Sequence, residues 1–125
     1  MENVFEYDQF YPLTYSYNAK TEKCTPSNHG VRVNSFIAIE NGIEDSLPYM
    51  LNKWGPVTVA VDFSKQYDYK GGLITASDCD HNAKHAVLVV GYTPDYWIIK
   101  NSKGSDWGEN GYAQLQRYHG ACGLE

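Results

Sequence analysis

Residues 85–112 read H-A-V-L-V-V-G-Y-T-P-D-Y-W-I-I-K-N-S-K-G-S-D-W-G-E-N-G-Y: two strand-like runs, a turn between them, and a loop bearing glycine and tryptophan. Val87, Val89 and Gly91 alternate with Ala86, Leu88, Val90 and Tyr92, and β-branched residues dominate, which favours a strand. Thr93-Pro94-Asp95 carries turn chemistry, since Pro94 presets φ and Asp95 can bond its own backbone. Residues 96–100 then form the return strand. If the hairpin folds symmetrically about Thr93, His85 at its start directly opposes Asn101 at its end. Opposed Cβ atoms of an antiparallel pair lie about 4.5–5.5 Å apart on one face. An asparagine oxygen at that distance can hold one imidazole nitrogen and leave the other for proton transfer. The same two residues also read as ordinary polar groups at strand ends.

Working outward, residues 57–62 (V-T-V-A-V-D) form a second strand, and residues 112–117 a last one. Glu44, Asp45 or Ser46 can cap a short helix running to about Trp54, with Pro48 in its first turn. Leu47, Met50, Leu51 and Trp54 follow at helical spacing and are expected to pack on the sheet. Alternation over residues 31–39 predicts another strand. The paired glycines of Y-K-G-G-L-I, ending at Ile74, imply a sharp turn or a close backbone approach. Residues 75–84 are polar and loop-like, and residues 1–30 lack clear periodicity.

Composition narrows the functional classes. With 42% apolar and 20% charged residues over 125 positions, the chain is one globular domain's worth. A net charge of −5 disfavours nucleic acid and anionic membranes as partners, and no apolar run approaches a membrane span. Eleven tyrosines supply amphipathic surface of the kind found at interfaces. The three cysteines are an odd number, so one would need a partner outside the chain in an oxidising compartment.

H-A-V-L-V-V-G-Y, Y-W-I-I-K-N-S, D-W-G-E-N-G-Y and the terminal A-C-G-L occur in the order and spacing of the C-terminal half of papain-family cysteine proteases, which this chain resembles. With weaker similarity upstream, the resemblance covers nearly the whole sequence. It implies an α+β fold: a papain-like β-barrel lobe, mostly antiparallel with one short helix, over residues 31–125. Residues 1–30 would be a remnant of the helical lobe.

The resemblance also implies roles. His85 matches the catalytic histidine and Asn101 the asparagine that orients it. Trp107 matches an aromatic packed near the site, although it also reads as a core or loop anchor. Ala60, Ala83 and Ala86 match positions lining the main specificity pocket, with Lys84 at its edge; small side chains would admit a bulky apolar residue. These alanines can equally be core packing. Cys79 and Cys122 match a disulfide pair of this lobe. Cys24 matches a structural cysteine whose partner the sequence lacks, and also reads as a plain free thiol.

The family's nucleophile sits in a C-G-S-C-W-like segment, and its oxyanion glutamine lies in the same half; neither occurs here. The chain is therefore expected not to hydrolyse peptide bonds alone. Lys103 stands where the family has a tryptophan that shields the histidine–asparagine bond, and a shielded bond is the stronger one. Lys84 stands where relatives often carry Asp or Asn. Both lysines place positive charge near the site and point towards weakened catalysis.

Cys79, His81 and His85, with Asp78 and Asp80 nearby, raise a zinc reading, but the spacing fits no common zinc motif. No metal or cofactor is expected. Three functional readings follow: a peptidase completed by an N-terminal half and acting on peptide or protein substrates, a non-catalytic module binding a protein at its exposed interlobe surface, or a truncated homologue. Family resemblance suggests a lysosomal, vacuolar or extracellular setting, although residues 1–4 lack the start of a signal peptide.

Overall fold

A computed structural model describes residues 34–39 and 42–124, together with the backbone of two short strands nearer the N-terminus. Contacts divide the chain into two units, Met1–Ala38 and Ile39–Glu125. In the first unit β1 (Val4–Phe5) pairs antiparallel with β2 (Val31–Arg32), Val4 opposite Arg32 and Phe5 opposite Val31. The strand expected over residues 31–39 is cut to its first two positions. Residues 34–39 carry no regular structure and are exposed, except that Ile39 is only marginally so at 37%. Alternation alone does not make a strand; the backbone N–H and C=O groups need a neighbour.

The second unit is a five-stranded sheet with one α-helix. Its strands are β3 (Val57–Val61), β4 (Leu73–Ile74), β5 (His85–Tyr92), β6 (Tyr96–Lys100) and β7 (Tyr112–Gln116), in the spatial order β3-β5-β6-β7-β4. Pairing is antiparallel except between β4 and β7, which run parallel. The expected barrel is not closed, because among the described residues β3 and β4 end the sheet as edges. The elements are otherwise those expected of an α+β domain, a mostly antiparallel sheet with one α-helix.

One face of the sheet is the core. Val59, Val61, Val87, Val89, Trp97, Ile99, Ala113 and Leu115 are all buried at alternate positions along their strands. Each fully buried branched side chain contributes about 1.5–3 kcal/mol relative to exposure. Leu47 of the helix α1 (Ile43–Trp54) joins this cluster with no exposed surface.

The start of α1 differs from expectation. Gly42 is its N-cap, in a left-handed conformation at φ 65°, and no side chain caps the helix. Pro48 therefore lies in the second turn, where it removes the N–H that would bond the Glu44 carbonyl. Glu44 is instead a tether. Its carboxylate accepts hydrogen bonds from Trp97 Nε1 at 2.9 Å, Tyr118 N at 3.0 Å and Gly120 N at 3.1 Å. It ties the helix to β6 and to the C-terminal segment.

The hairpin register also departs from expectation. The turn centres on Pro94-Asp95, with Thr93 N donating to Tyr96 O at 2.8 Å, and Tyr92 opposes Trp97. A register shift between Val89 and Gly91 leaves Val90 as a bulge, after which Val89 opposes Ile99 and Leu88 opposes Lys100. Carried on, that register sets His85 against position 103, so Asn101 is its diagonal neighbour rather than its direct partner. The paired glycines do mark a close approach: Gly71 and Gly72 have φ of 152° and 92°, and a Cβ on Gly71 would lie 3.2 Å from Glu109 Oε1. Gly72 N donates to that same oxygen at 3.0 Å.

Candidate functional site

His85 opens β5 and pairs with Val61 of β3, so its imidazole lies on the core face of the sheet and is half-buried. Asn101 follows β6, is 8% exposed, and its N–H is fixed by Gly111 O at 2.9 Å. Diagonal neighbours share a face at about 7–8 Å, within reach of two side chains leaning together. His85 Nε2 and Asn101 Oδ1 lie 2.8 Å apart.

The backbone decides which atom donates. Ser102 N–H also lies 2.8 Å from Asn101 Oδ1, and an N–H needs an acceptor. That contact fixes the carboxamide with its oxygen towards both neighbours, so His85 Nε2 carries the proton. Nδ1 is then the basic nitrogen, and it has no hydrogen-bond partner among the described residues. Asn101 Nδ2 is buried without a partner.

The cleft beside His85 encloses about 290 Å³ and is lined by Asp62, Phe63, Ser64, Asn82, Lys84 and Lys103 among others. Asp62 is 3% exposed. Its Oδ1 accepts Ser64 N at 3.0 Å and its Oδ2 accepts Asn82 N at 2.9 Å. Hydrogen bonds from the Ser64 side chain, then from the Asn82 and Ser64 N–H groups, hold its carboxyl at about 2, below the ordinary 3.8. The carboxylate pins the loop that leads into His85. Lys84 N–H donates to Val61 O at 3.2 Å, closing the same connection.

Four rings form a row. Tyr69 and Trp107 have centroids 5.2 Å apart, Trp107 and Phe63 6.0 Å, and Phe63 and His85 6.2 Å. Trp107 is 5% exposed and its Nε1 donates to Gln66 O at 2.8 Å, so it anchors the row. The ring beside the imidazole is Phe63, which sequence reasoning did not single out. The signal lay in the β3–β5 register, since Phe63 is two residues beyond Val61, the partner of His85.

The remaining residues fall in different places. Lys103 is exposed, and its Nζ sits 4.4 Å above the Tyr67 ring. Ala60 and Ala86 are directly opposed across β3 and β5 and are exposed, on the sheet face opposite to His85. Ala60 lines a separate cavity of about 230 Å³ with Ile39, Ile43 and Leu124. Ala83 is exposed near Gly123, whose added Cβ would meet the Ala83 Cβ at 3.5 Å. Cys79 and Cys122 form a disulfide with Cα atoms 4.9 Å apart, which also removes the sulfur from the zinc constellation. Cys24 lies outside the described residues.

Comparison with known proteins agrees with this architecture. The chain is 42% identical over 121 residues to a viral cathepsin of Spodoptera exigua nuclear polyhedrosis virus, covering 88% of this chain and 34% of that protein. It is 39% identical over 121 residues to cysteine proteinase 3 of Solanum lycopersicum, again covering 88% of this chain and 34% of the relative. Among solved structures, digestive procathepsin L 3 of Tenebrio molitor larval midgut superposes with a TM-score of 0.60 at 43% identity, over 65% of this chain and 29% of that one. The chain thus spans about a third of the length of the curated relatives it matches. The family described as papain family cysteine protease matches residues 3–125, and the chain belongs to that family.

Proposed function

We propose that His85 and Asn101 are the proton-transfer half of a papain-type cysteine peptidase site, with the attacking thiolate supplied by a cysteine outside these 125 residues. The observation that carries this reading is the 2.8 Å contact of His85 Nε2 with Asn101 Oδ1, whose orientation is set by Ser102 N–H. Nδ1 takes the thiol proton, and the imidazolium stabilises the thiolate. The thiolate attacks a peptide carbonyl and the imidazolium returns its proton to the leaving amine. The same nitrogen then activates the water that hydrolyses the thioester.

Within the chain, the Cys79–Cys122 disulfide supports assigning neither sulfur as nucleophile, and resemblance gives Cys24 a structural role. The substrate is a peptide or protein. By resemblance, Ala60, Ala83, Ala86 and Lys84 are assigned to a subsite for a bulky apolar side chain, supported by the direct opposition of Ala60 and Ala86 and by the cavity that Ala60 lines. A disulfide between buried cysteines supports an oxidising setting, lysosomal, vacuolar or extracellular. A second reading, a non-catalytic module that binds a protein partner, is favoured by Phe36 and Ile37, which are 87% and 69% exposed.

The test is reconstitution. The purified chain is expected to resist an epoxide directed at activated thiols and to leave a fluorogenic peptide intact. Mixed with the cysteine-bearing half of a papain-family relative, it is expected to support labelling of that cysteine, and His85→Ala is expected to abolish the labelling. Labelling of Cys24 in the isolated chain, or reconstitution indifferent to His85→Ala, overturns the proposal.

A further inference from the structure

We infer that Phe63 is a positioning residue for His85, screening the His85–Asn101 hydrogen bond from water in place of the tryptophan that Lys103 replaces. The inference rests on the reading of His85 as the general base. Three observations carry it.

First, Lys103 brings no aromatic ring to the pair, and its ammonium is drawn to the Tyr67 ring, 4.4 Å from the centroid. Second, the Asn101 side of the bond is nonetheless sheltered: Asn101 is 8% exposed and its Nδ2 is out of solvent, whereas His85 is half-buried. Third, the aromatic ring beside the imidazole is Phe63, 6.2 Å away between centroids at an interplanar angle of 33° and itself 6% exposed. That separation lies within the range at which aromatic rings pack. Phe63 is held from behind by Trp107 and, through it, by Tyr69. Its carbonyl accepts Gln66 N at 3.2 Å, so backbone and ring are both fixed.

A hydrogen bond kept from water is stronger than a wet one, and the advantage lies in the lower local dielectric. Phe63 therefore offsets the loss of the tryptophan, and Lys103 need not imply a wet, weakened pair. The screen has moved from the loop after β6 to the end of β3.

The readout is the His85 Nε2 proton, followed by nitrogen-15 NMR in the 125-residue chain through its tautomer shifts and its exchange with water. In the parent chain the proton is expected on Nε2. Its exchange is expected to quicken modestly in Phe63→Leu and by about three- to tenfold in Phe63→Ala, the span of one net hydrogen bond. Phe63→Ala combined with Lys103→Trp is expected to slow it again. Retention of the Trp107 Nε1 signal reports that each variant is folded. If Phe63→Ala does not fold, Phe63→Leu decides, and exchange there equal to the parent overturns the inference. Unchanged exchange in a folded Phe63→Ala, or no slowing in the double variant, does the same. A proton found on Nδ1 in the parent sinks the general-base reading itself, and the inference with it.

Discussion

Removing the Cys79–Cys122 disulfide tests how the tail and the loop before His85 are held. Both cysteines are buried, at 7% and 0% exposure, and their separation in sequence is 43 residues. Closing a loop of that length removes chain entropy from the unfolded state equivalent to about 4 kcal/mol at 25 °C. Against a domain stability of about 5–15 kcal/mol, that is a large share. The bond also has local consequences. Cys122 O accepts Asp62 N at 2.7 Å, and Asp62 in turn holds Asn82, three residues before His85. The Cys79→Ala/Cys122→Ala variant avoids leaving a reactive thiol behind. Urea unfolding followed by tryptophan fluorescence should place its midpoint about 1.3–4 M below that of the oxidised parent, taking a slope of about 1–3 kcal/mol/M. Hydrogen exchange at Asn82 N–H should rise more than at β6 amides. A loss under about 1 kcal/mol, or Asn82 exchange that follows the global change alone, would refute the account.

Two further outcomes follow from single residues. Asp62 has its carboxyl lowered to about 2 from 3.8, so its stabilisation is full above pH 4 and is lost as pH falls through 2. Asp62→Asn must turn an amide N–H towards a backbone N–H, so it should lower the urea midpoint at neutral pH and flatten its dependence between pH 4 and 2; equal slopes for both proteins would exclude Asp62 as the cause. Glu44→Ala leaves Trp97 Nε1 buried without its acceptor, since Trp97 has no exposed surface. The expected cost is about 1–3 kcal/mol in the same urea assay, with faster exchange at Tyr118 and Gly120 N–H.

How much of this was legible in the sequence depends on what each feature leaves behind in residue type. The alternation of Val57–Val61 and of β5 marks strands because one face is buried, and the helical spacing of Leu47 and Met50 marks α1 for the same reason. Gly71 and Gly72 announced a close approach that Glu109 supplies. Long-range choices leave no such trace. The parallel pairing of Leu73–Ile74 with β7 involves two residues that alternate with nothing. Glu44 looks like a first-turn acid, and only the arrival of Trp97, Tyr118 and Gly120 makes it a tether. Residues 34–39 carry the alternation of a strand but gain no pairing strand among the described residues. Phe63 is one apolar residue after a strand until the β3–β5 register sets it beside His85.

The hairpin shows how a correct contact can sit behind an incorrect register. Symmetry about Thr93 would oppose His85 and Asn101 directly. The turn instead centres between Pro94 and Asp95, which displaces the pairing by three residues. A displacement of three is odd, and in a strand an odd shift sends a side chain to the other face. Unmodified, this turn would have put Asn101 on the face opposite to His85. The bulge at Val90 takes one residue back and leaves a displacement of two, which is even. Asn101 returns to the face of His85 as a diagonal neighbour, and the imidazole and carboxamide close the remaining distance to 2.8 Å. The extra residue is invisible in the run V-L-V-V-G-Y, where every position is apolar or small and either face could accept it. The parity that joins the two functional side chains thus depends on an irregularity five residues from the histidine.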